Sequence, residues 1–408
     1  MRRLPSLLRC AATLAATVII AAGLSTATAT AAHAEGSSTA ALSGVYAGGL
    51  RLDKARAFGS WRGQAVTVTG DFLSGDSWAG VEAPDWWTGA WSGSGTRMVI
   101  GVPILPGPQG STTLAAGATG AYDAHFRTLA SRLIAAGMSD AVLRLGWEQN
   151  GTWYPWSSYG HETEFIGYWR HIVTAMRSVS GAKFAFAFNP TLGPGQWGSH
   201  PEQAWPGDSY VDTISLDVYD CMWGNSTATP AQRWTAVQEG TYALDWWAAF
   251  GAAHGNKPLS FPEWGLVDRA DQNGGGGGDN PLFITNFLNW VRSHHVLYET
   301  YFEVDAQDGN HLLEGSTFPK AAAAYRQAMT APAAAATPVA AAVTAPAADA
   351  TTPIATVVAT AVAPVAPLVT VAAPVAVATT AATSRTTVSA SSRVVKRLRW
   401  RGVPRTRR

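Results

Sequence analysis

Two glutamates, Glu148 and Glu263, each follow an apolar run and could act together as an acid/base pair. The run 141–145 precedes Glu148 and an Asn-Gly turn dipeptide follows it, which predicts a carboxylate at the C-terminal end of a buried strand. Glu263 closes the run 259–261 in the same way. Two carboxyl groups about 5–5.5 Å apart can hydrolyse a glycosidic bond with retention, one as proton donor and one as nucleophile. This chemistry requires a fold that brings both residues to one rim.

Aromatic residues crowd the sequence around Glu148. Trp147 precedes it, and Trp153, Tyr154 and Trp156 follow within the next eight positions. Flat apolar faces of this kind can stack on sugar rings, and they disfavour a charged carboxylate beside them. We therefore expect Glu148 to remain protonated near neutral pH, as a general acid must.

Eight strand-like runs alternate with helical stretches between Ser43 and Thr330. The runs are residues 44–48, 65–72, 97–105, 140–147, 183–189, 211–219, 257–263 and 296–304, and the clearest helices are 121–136, 162–179, 230–254, 281–294 and 319–329. Mostly continuous apolar runs are typical of parallel strands with helices packed outside them. Eight alternations over about 290 residues predict a (β/α)8 TIM barrel, whose active face is formed by the loops after the strands. An open doubly wound sheet is the alternative, but residues 44–49 lack its G-x-G-x-x-G turn.

In such a barrel the strand ends bring polar and aromatic side chains to one rim. Asp71, Asp217 and Glu303 end three of the predicted strands, and further residues at the rim are candidates for contact with a sugar. These candidates are Trp147, Asn150, Trp153, Trp156, Asn189, Tyr219, Trp223 and Trp264. Any single tryptophan could equally pack between helices. No pair of histidines has the spacing of zinc ligands, so neither a metal nor a cofactor is expected.

The segment 147–156, Trp-Glu-Gln-Asn-Gly-Thr-Trp-Tyr-Pro-Trp, resembles the acid/base motif of glycoside hydrolase family 26, the β-mannanase family of the retaining clan A barrels. The resemblance extends over residues 44–329 and implies that Glu148 is the general acid/base and Glu263 the nucleophile. Arg144 matches an arginine that supports the nucleophile and joins the candidates for substrate binding, and Tyr219 is similar to a tyrosine that hydrogen-bonds the nucleophile. Such partners would keep Glu263 ionised. A bell-shaped pH profile would follow, with its acid limb belonging to Glu263 and its basic limb to Glu148.

Three departures from the pattern of the family bear on which sugar is bound. Trp147 occupies the position of the family's histidine, Leu145-Gly146 replaces a proline-containing approach, and the eighth strand, 298–303, has no tryptophan. The resemblance implies a retaining, β-mannanase-like endo-glycosidase that acts on a β-linked polysaccharide. The alternative is a non-catalytic carbohydrate-binding barrel attached to the cell wall, which the presence of both glutamates disfavours.

Both ends of the chain differ in composition from the domain between them. Residues 1–34 combine a basic start, an apolar centre and a small-x-small cleavage pattern, which predicts a signal peptide and a secreted, extracellular domain over 35–330. Residues 331–392 are rich in Ala, Pro, Thr and Val and predict an extended linker. A membrane span over 354–379 is the alternative, but three prolines interrupt it.

Charge separates the domain from the end of the chain. Residues 35–349 hold 17 basic and 28 acidic residues, a net charge of about −11, whereas nine Lys or Arg residues and no acid follow them. An acidic domain is not suited to binding nucleic acid. The basic tail, 393–408, could contact an anionic cell-wall polymer or remain solvated and disordered. We expect a monomer whose partner is a polysaccharide.

Overall fold

The computed structural model describes residues 40–195, 199–222, 227–268, 275–307 and 309–330. The predicted signal peptide, linker, basic tail and alternative membrane span lie outside these residues, as does Trp223. Within the described ranges, no helix is both long and apolar enough to cross a membrane.

Eight parallel strands close into a barrel in the order of the sequence. They are β1 Leu42–Tyr46, β2 Val68–Phe72, β3 Arg97–Val102, β4 Val142–Leu145, β5 Ala185–Phe188, β6 Thr213–Asp220, β7 Leu259–Leu266 and β8 Val296–Phe302. Each strand pairs with the next, and β8 pairs with β1, from Leu42 opposite Tyr298 to Tyr46 opposite Phe302. The predicted TIM barrel is therefore confirmed, and the open doubly wound sheet is wrong.

Helices cover the outside of the barrel and connect successive strands. They are α1 Leu52–Arg62, α2 Trp78–Val81, α3 Asp85–Trp91, α4 Leu114–Gly117, α5 Asp123–Ala135, α6 Glu162–Arg177, α7 Pro230–Glu239, α8 Leu244–Ala253, α9 Pro281–Ser293 and α10 Pro319–Thr330. Loops carry the 3-10 helices Pro201–Ala204 and Asp208–Tyr210 and a hairpin of β9, Asp305–Ala306, with β10, Gly309–Asn310. On α6 the buried residues Phe165, Trp169 and Ile172 are spaced by four and three positions, as an amphipathic helix requires.

The single helix predicted over 230–254 is wrong, because two helices, α7 and α8, occupy that range. α7 begins in a capping box in which the Thr229 side chain accepts from the Gln232 N–H, and it ends at Gly240, whose backbone is extended. Tyr242 then adopts a φ of 53°, which an α-helix does not contain. Apolar residues continue through both helices, so their pattern alone does not reveal the break.

Side chains on β7 alternate between the barrel interior and the helix layer. Glu263 contacts Arg144 inside the barrel, while Trp264 stacks on Phe287 of α9 with ring centroids 4.2 Å apart. Successive residues of a strand point to opposite faces. This alternation decides which residues at a strand end reach the mouth of the barrel.

Candidate active site

A tight turn after β4 presents Glu148 at the mouth of the barrel. Gly146 and Glu148 both have left-handed backbones, with φ of 55° and 53°. A non-glycine residue in this region is uncommon and costs about 1–3 kcal/mol. Backbone hydrogen bonds hold the turn: the Glu148 N–H donates to the Asn189 carbonyl at 2.6 Å, and the Glu148 carbonyl accepts from the Gly151 N–H at 2.9 Å. The Glu148 side chain is fixed as well, since its Oε2 accepts from Trp153 Nε1 at 2.7 Å.

Glu263 lies inside the mouth on β7 and is only 8% exposed. Its Oε1 accepts a hydrogen bond from Arg144 Nη2 at 2.6 Å, and its Oε2 accepts from the Tyr219 hydroxyl at 2.8 Å. Two donors, one of them cationic, suit the ionised carboxylate that a nucleophile requires. The structure places Arg144 and Tyr219 at Glu263, which is the arrangement that the family resemblance implies.

A third carboxylate, Asp217, shares the Arg144 guanidinium with Glu263. Arg144 Nη2 donates to Asp217 Oδ2 at 2.8 Å, and Arg144 Nε donates to Asn189 Oδ1 at 2.5 Å. Burial raises the pKa of Asp217 well above its usual value, while the charge of Arg144 opposes the rise and that of Glu263 adds to it. Both Arg144 and Asp217 are almost fully buried. Arg144 therefore pairs with the carboxylates, and the substrate contact predicted for it stays a prediction.

Two tyrosine hydroxyls lie near both glutamates. Burial raises the pKa of Tyr219 well above its usual value, and the charges of Glu263, Asp217 and Glu148 raise it further. Burial likewise raises the pKa of Tyr154, with added contributions from the charges of Glu148 and Glu263. Both phenols therefore remain protonated, and that of Tyr219 donates to Glu263 Oε2. Because each tyrosine interacts with both glutamates, Glu148 and Glu263 belong to one mouth.

Aromatic rings line the mouth beside Glu148. The ring of Trp147 lies 5.0 Å from that of Phe72 and 5.0 Å from that of Tyr154, and Tyr154 stacks on Trp156 at 4.7 Å. Trp153 is 39% exposed and offers an open face. The acid/base candidate thus stands next to apolar surface of the kind on which a sugar ring can pack.

The sugar contact predicted for Trp264 is wrong. Its side chain is fully buried outside the barrel wall, where it stacks on Phe287 and its Nε1 donates to Glu299 Oε2 at 2.6 Å. Because Glu263 faces the barrel interior, its immediate neighbour on the strand faces the helices.

Three other residues predicted to contact the sugar have buried side chains that bond to neighbouring loops, and their contact with a sugar stays a prediction. Asn150 accepts from the Thr191 N–H with Oδ1 and donates to the Thr191 carbonyl with Nδ2, which joins the loops after β4 and β5. Trp156 donates its indole N–H to the Trp147 carbonyl at 2.8 Å. Asn189 orients the arginine of the carboxylate cluster. These side chains, each at most 4% exposed, position the loops and the guanidinium.

The candidates for sugar contact that the sequence predicts omit Asp217, Phe72 and Tyr154, although the sequence places Asp217 at the rim and Tyr154 beside Glu148. For Asp217 a signal was present, since it precedes Tyr219 by two positions and residues two apart share one face of a strand. The contact of Phe72 with Trp147 depends on how the neighbouring strands align, and the sequence does not specify that alignment. Within the described residues, no group of three or more His, Cys, Asp or Glu side chains could hold a metal ion.

Comparison with known sequences finds glycoside hydrolases. The model of glycosyl hydrolase family 26 matches residues 130–247, which include Glu148 and end before Glu263. Endoglucanase H of Acetivibrio thermocellus is 27% identical over 219 residues, which cover 52% of this chain and 22% of that relative. The match therefore spans less than a quarter of the length of endoglucanase H.

Comparison with solved structures finds β-mannanases. An endo-β-1,4-mannanase double mutant of Cellulomonas fimi is 20% identical with a TM-score of 0.49, and the match covers 67% of this chain and 65% of that chain. A family 26 β-mannanase of Bacteroides ovatus is 16% identical with a TM-score of 0.47, over 71% of this chain and 87% of that chain. The family match over residues 130–247 confirms the resemblance to glycoside hydrolase family 26 that the sequence shows.

Proposed function

We propose that this barrel hydrolyses a β-linked polysaccharide at internal bonds, with retention of configuration at the cleaved sugar. The observation that carries the proposal is the setting of Glu263, which is held by Arg144 and Tyr219 in the mouth that it shares with Glu148. A buried, doubly hydrogen-bonded carboxylate beside a more exposed one matches the division of roles between nucleophile and acid/base.

In the first step Glu263 attacks the anomeric carbon while Glu148 gives its proton to the leaving oxygen. The bond from that carbon to the leaving oxygen breaks, and a glycosyl ester of Glu263 forms. Esterification removes the negative charge from Glu263, and the buried Arg144 then still has Asp217 as an anionic partner. Asp217 thus prevents an unpaired buried cation during the lifetime of the ester, which would otherwise cost several kcal/mol.

In the second step Glu148, now a carboxylate, takes a proton from a water molecule. The water oxygen attacks the anomeric carbon, the ester bond breaks, and Glu263 returns to its carboxylate form. Tyr219 and Arg144 stabilise the negative charge that returns to Glu263, because each already donates a hydrogen bond to one of its two oxygens.

β-Mannans and β-glucans are the substrates that we propose. The family 26 match supports a β-mannanase-like enzyme, and the similarity to a protein named an endoglucanase supports action on glucan. The open face of Trp153 and the rings of Trp147 and Tyr154 can stack on hexose rings of either polymer. Trp147, which replaces the family's histidine, is the residue best placed to influence the choice between them.

Release of reducing ends from β-mannan, glucomannan, mixed-linkage β-glucan and xylan tests the proposal. We expect rapid loss of viscosity with a mannan or a glucan, and no reaction by Glu148→Ala or Glu263→Ala. Glu239→Ala, at an exposed position at the end of α7, is the matched control and should keep full activity. A wild-type protein that binds these polymers without releasing reducing ends would support the carbohydrate-binding barrel instead.

Azide can distinguish the roles of the two glutamates. With an activated aryl β-glycoside, azide should restore turnover in Glu148→Ala and give a β-glycosyl azide, because the ester on Glu263 still forms. In Glu263→Ala azide attacks from the vacated side, and the product should be the α-glycosyl azide. The reverse pattern of products would exchange the two assignments.

We also infer that the enzyme acts outside the cell, since residues 1–34 have the pattern of a signal peptide. Contact of the basic tail with an anionic wall polymer is part of the same proposal. Binding of the full chain to isolated cell walls should be released by salt, and a chain truncated at Ala331 should not bind. Equal retention of both forms would reject the wall contact.

A further inference from the structure

The indole of Trp153 folds back over its own loop and reaches Glu148. Its Nε1 donates to Glu148 Oε2 at 2.7 Å. Gly151 makes room for this arrangement, because a Cβ built at that position would lie 2.3 Å from Cζ2 of the Trp153 ring, far closer than a real contact. The hydrogen bond therefore depends on an indole at position 153 and on a glycine at position 151.

We propose that Trp153 is a positioning residue for Glu148, whose indole N–H occupies Oε2 and thereby assigns the transferable proton to Oε1. The proposal rests on the proposed acid/base function of Glu148. It goes beyond the sugar contact that the sequence predicts for Trp153, because stacking on a sugar uses the face of the ring and does not require the indole N–H.

The hydrogen bond has consequences for both steps of the reaction. A carboxylic acid carries its proton on one oxygen, and an oxygen that already accepts an N–H is poorly placed to carry it. Oε1 of Glu148 thus protonates the leaving oxygen in the first step and receives the proton of water in the second. Oε2 keeps its hydrogen bond from Trp153 in both steps. An N–H donor also favours the carboxylate, and so offsets part of the preference for the acid that the surrounding rings impose.

Charged and titratable groups from several elements surround Glu148. Tyr154 on the same loop and Asp217 and Tyr219 on β6 interact with it, and Arg144 on β4 and Glu263 on β7 interact with Tyr154 and Asp217. Trp153→Phe changes none of them and keeps an aromatic ring. A change in the titration of Glu148 in this variant therefore isolates the lost N–H.

Two variants remove the hydrogen bond by different routes. Trp153→Phe lacks the donor, whereas Gly151→Ala keeps the indole and displaces it, without strain in the Gly151 backbone, which does not have a positive φ. Loss of a donor to a carboxylate raises its pKa, so the basic limb of the profile of kcat/KM against pH should move upward. We expect a shift of about 1 pH unit, the lower end of the range for a hydrogen bond to a charged group, because Trp153 is partly exposed.

The matched control is Trp234→Phe, which removes an indole N–H that donates to Gln238 within α7. Its profile should coincide with that of the wild type. If Trp153 only stacks on sugar, Trp153→Phe and Gly151→Ala will raise KM while the basic limb stays in place, and the proposal is overturned. A bell-shaped wild-type profile with an inactive Glu148→Ala leaves the proposed function intact in that case.

A second measurement keeps the inference testable if the wild type hydrolyses none of the polymers, a result that would reject the proposed function itself. The carboxyl carbon of Glu148, labelled with 13C and assigned with Glu148→Gln, can be titrated by NMR in the wild type and both variants. An upward shift of the Glu148 midpoint in both variants supports the hydrogen bond. Unchanged midpoints overturn it.

Discussion

Arg144→Met should destabilise the barrel strongly at neutral pH. The Arg144 side chain is buried, and its Nη2 holds Asp217 Oδ2 at 2.8 Å and Glu263 Oε1 at 2.6 Å. Methionine has a similar length and no charge, so two buried carboxylates lose their cation. Removing one partner of a buried ion pair costs about 3–5 kcal/mol. At about 2–4 °C for each kcal/mol in a large domain, the Tm at pH 7.5 should fall by about 6–20 °C.

The loss should shrink in acid, which separates the effect of charge from that of packing. Burial raises the pKa of Asp217 in the folded protein, and removing the Arg144 charge raises it further. A group with a raised folded-state pKa contributes stability that is fully present below its unfolded pKa and is lost as pH rises through the folded pKa. Near pH 4 Asp217 is protonated in the folded variant. Only the lost packing and hydrogen bonds, about 1–2 kcal/mol, should remain there.

Thermal unfolding followed by circular dichroism at pH 4 and pH 7.5 measures both quantities. Arg177→Met is the matched control, because Arg177 pairs with Asp212 at 3.0 Å while their side chains are 40% and 39% exposed. An exposed pair contributes about 0–1 kcal/mol, so the control should lose little stability at either pH. Equal losses by Arg144→Met at the two pH values, or a loss no larger than that of the control, would refute the reasoning.

Three further substitutions test other parts of the structure. Neither amide atom of the buried Gln149 has a hydrogen-bond partner among the described residues, so Gln149→Met should raise the free energy of unfolding in urea by about 1–2 kcal/mol, and a decrease would contradict this. Burial raises the pKa of Glu303 to about 7, so its share of the stability, on the order of 3 kcal/mol, should be lost between about pH 4.5 and 7. Glu303→Gln should remove that share, and an unchanged slope of stability against pH would disprove it. Trp264→Phe takes a donor from buried Glu299 and should cost about 1–3 kcal/mol without changing KM, whereas a raised KM would restore the sugar contact.

The order of strands and helices could be predicted because each element has a local signature. Eight apolar runs and the stretches between them correspond to β1 to β8 and their helices. The ends of the strands were harder to predict, because pairing with a strand that is distant in the sequence determines them. β7 continues past Glu263 to Leu266, where Val218, Tyr219 and Asp220 of β6 pair with it. The sequence near Glu263 shows a turn glycine, and only the neighbouring strand shows why the chain remains extended there.

Residues of the site could be predicted where they depend on the ends of strands. The prediction failed where it depends on which face of a strand a side chain occupies. The sequence predicts Glu148 and Glu263 at strand ends because each closes an apolar run. Trp264 was assigned to the mouth by its position in the sequence, although a neighbour of an inward-facing glutamate must point outward. Asp217 was noted as a strand end without a role, since its importance comes from sharing a guanidinium with a residue 46 positions away on β7.

The third carboxylate changes how a pH profile of the proposed reaction must be interpreted. Glu148, Asp217 and Glu263 share one mouth, and Arg144 is the cation that contacts two of them, so full ionisation would leave an excess of negative charge among buried groups. Such an excess is costly, and burial accordingly raises the pKa of Asp217. Asp217 then contributes to the pH profile together with Glu148 and Glu263, whose assignment to the basic and acid limbs stays a prediction. Azide rescue avoids this overlap, because the anomer of the product depends on which side chain is missing and not on the protonation of the three acids.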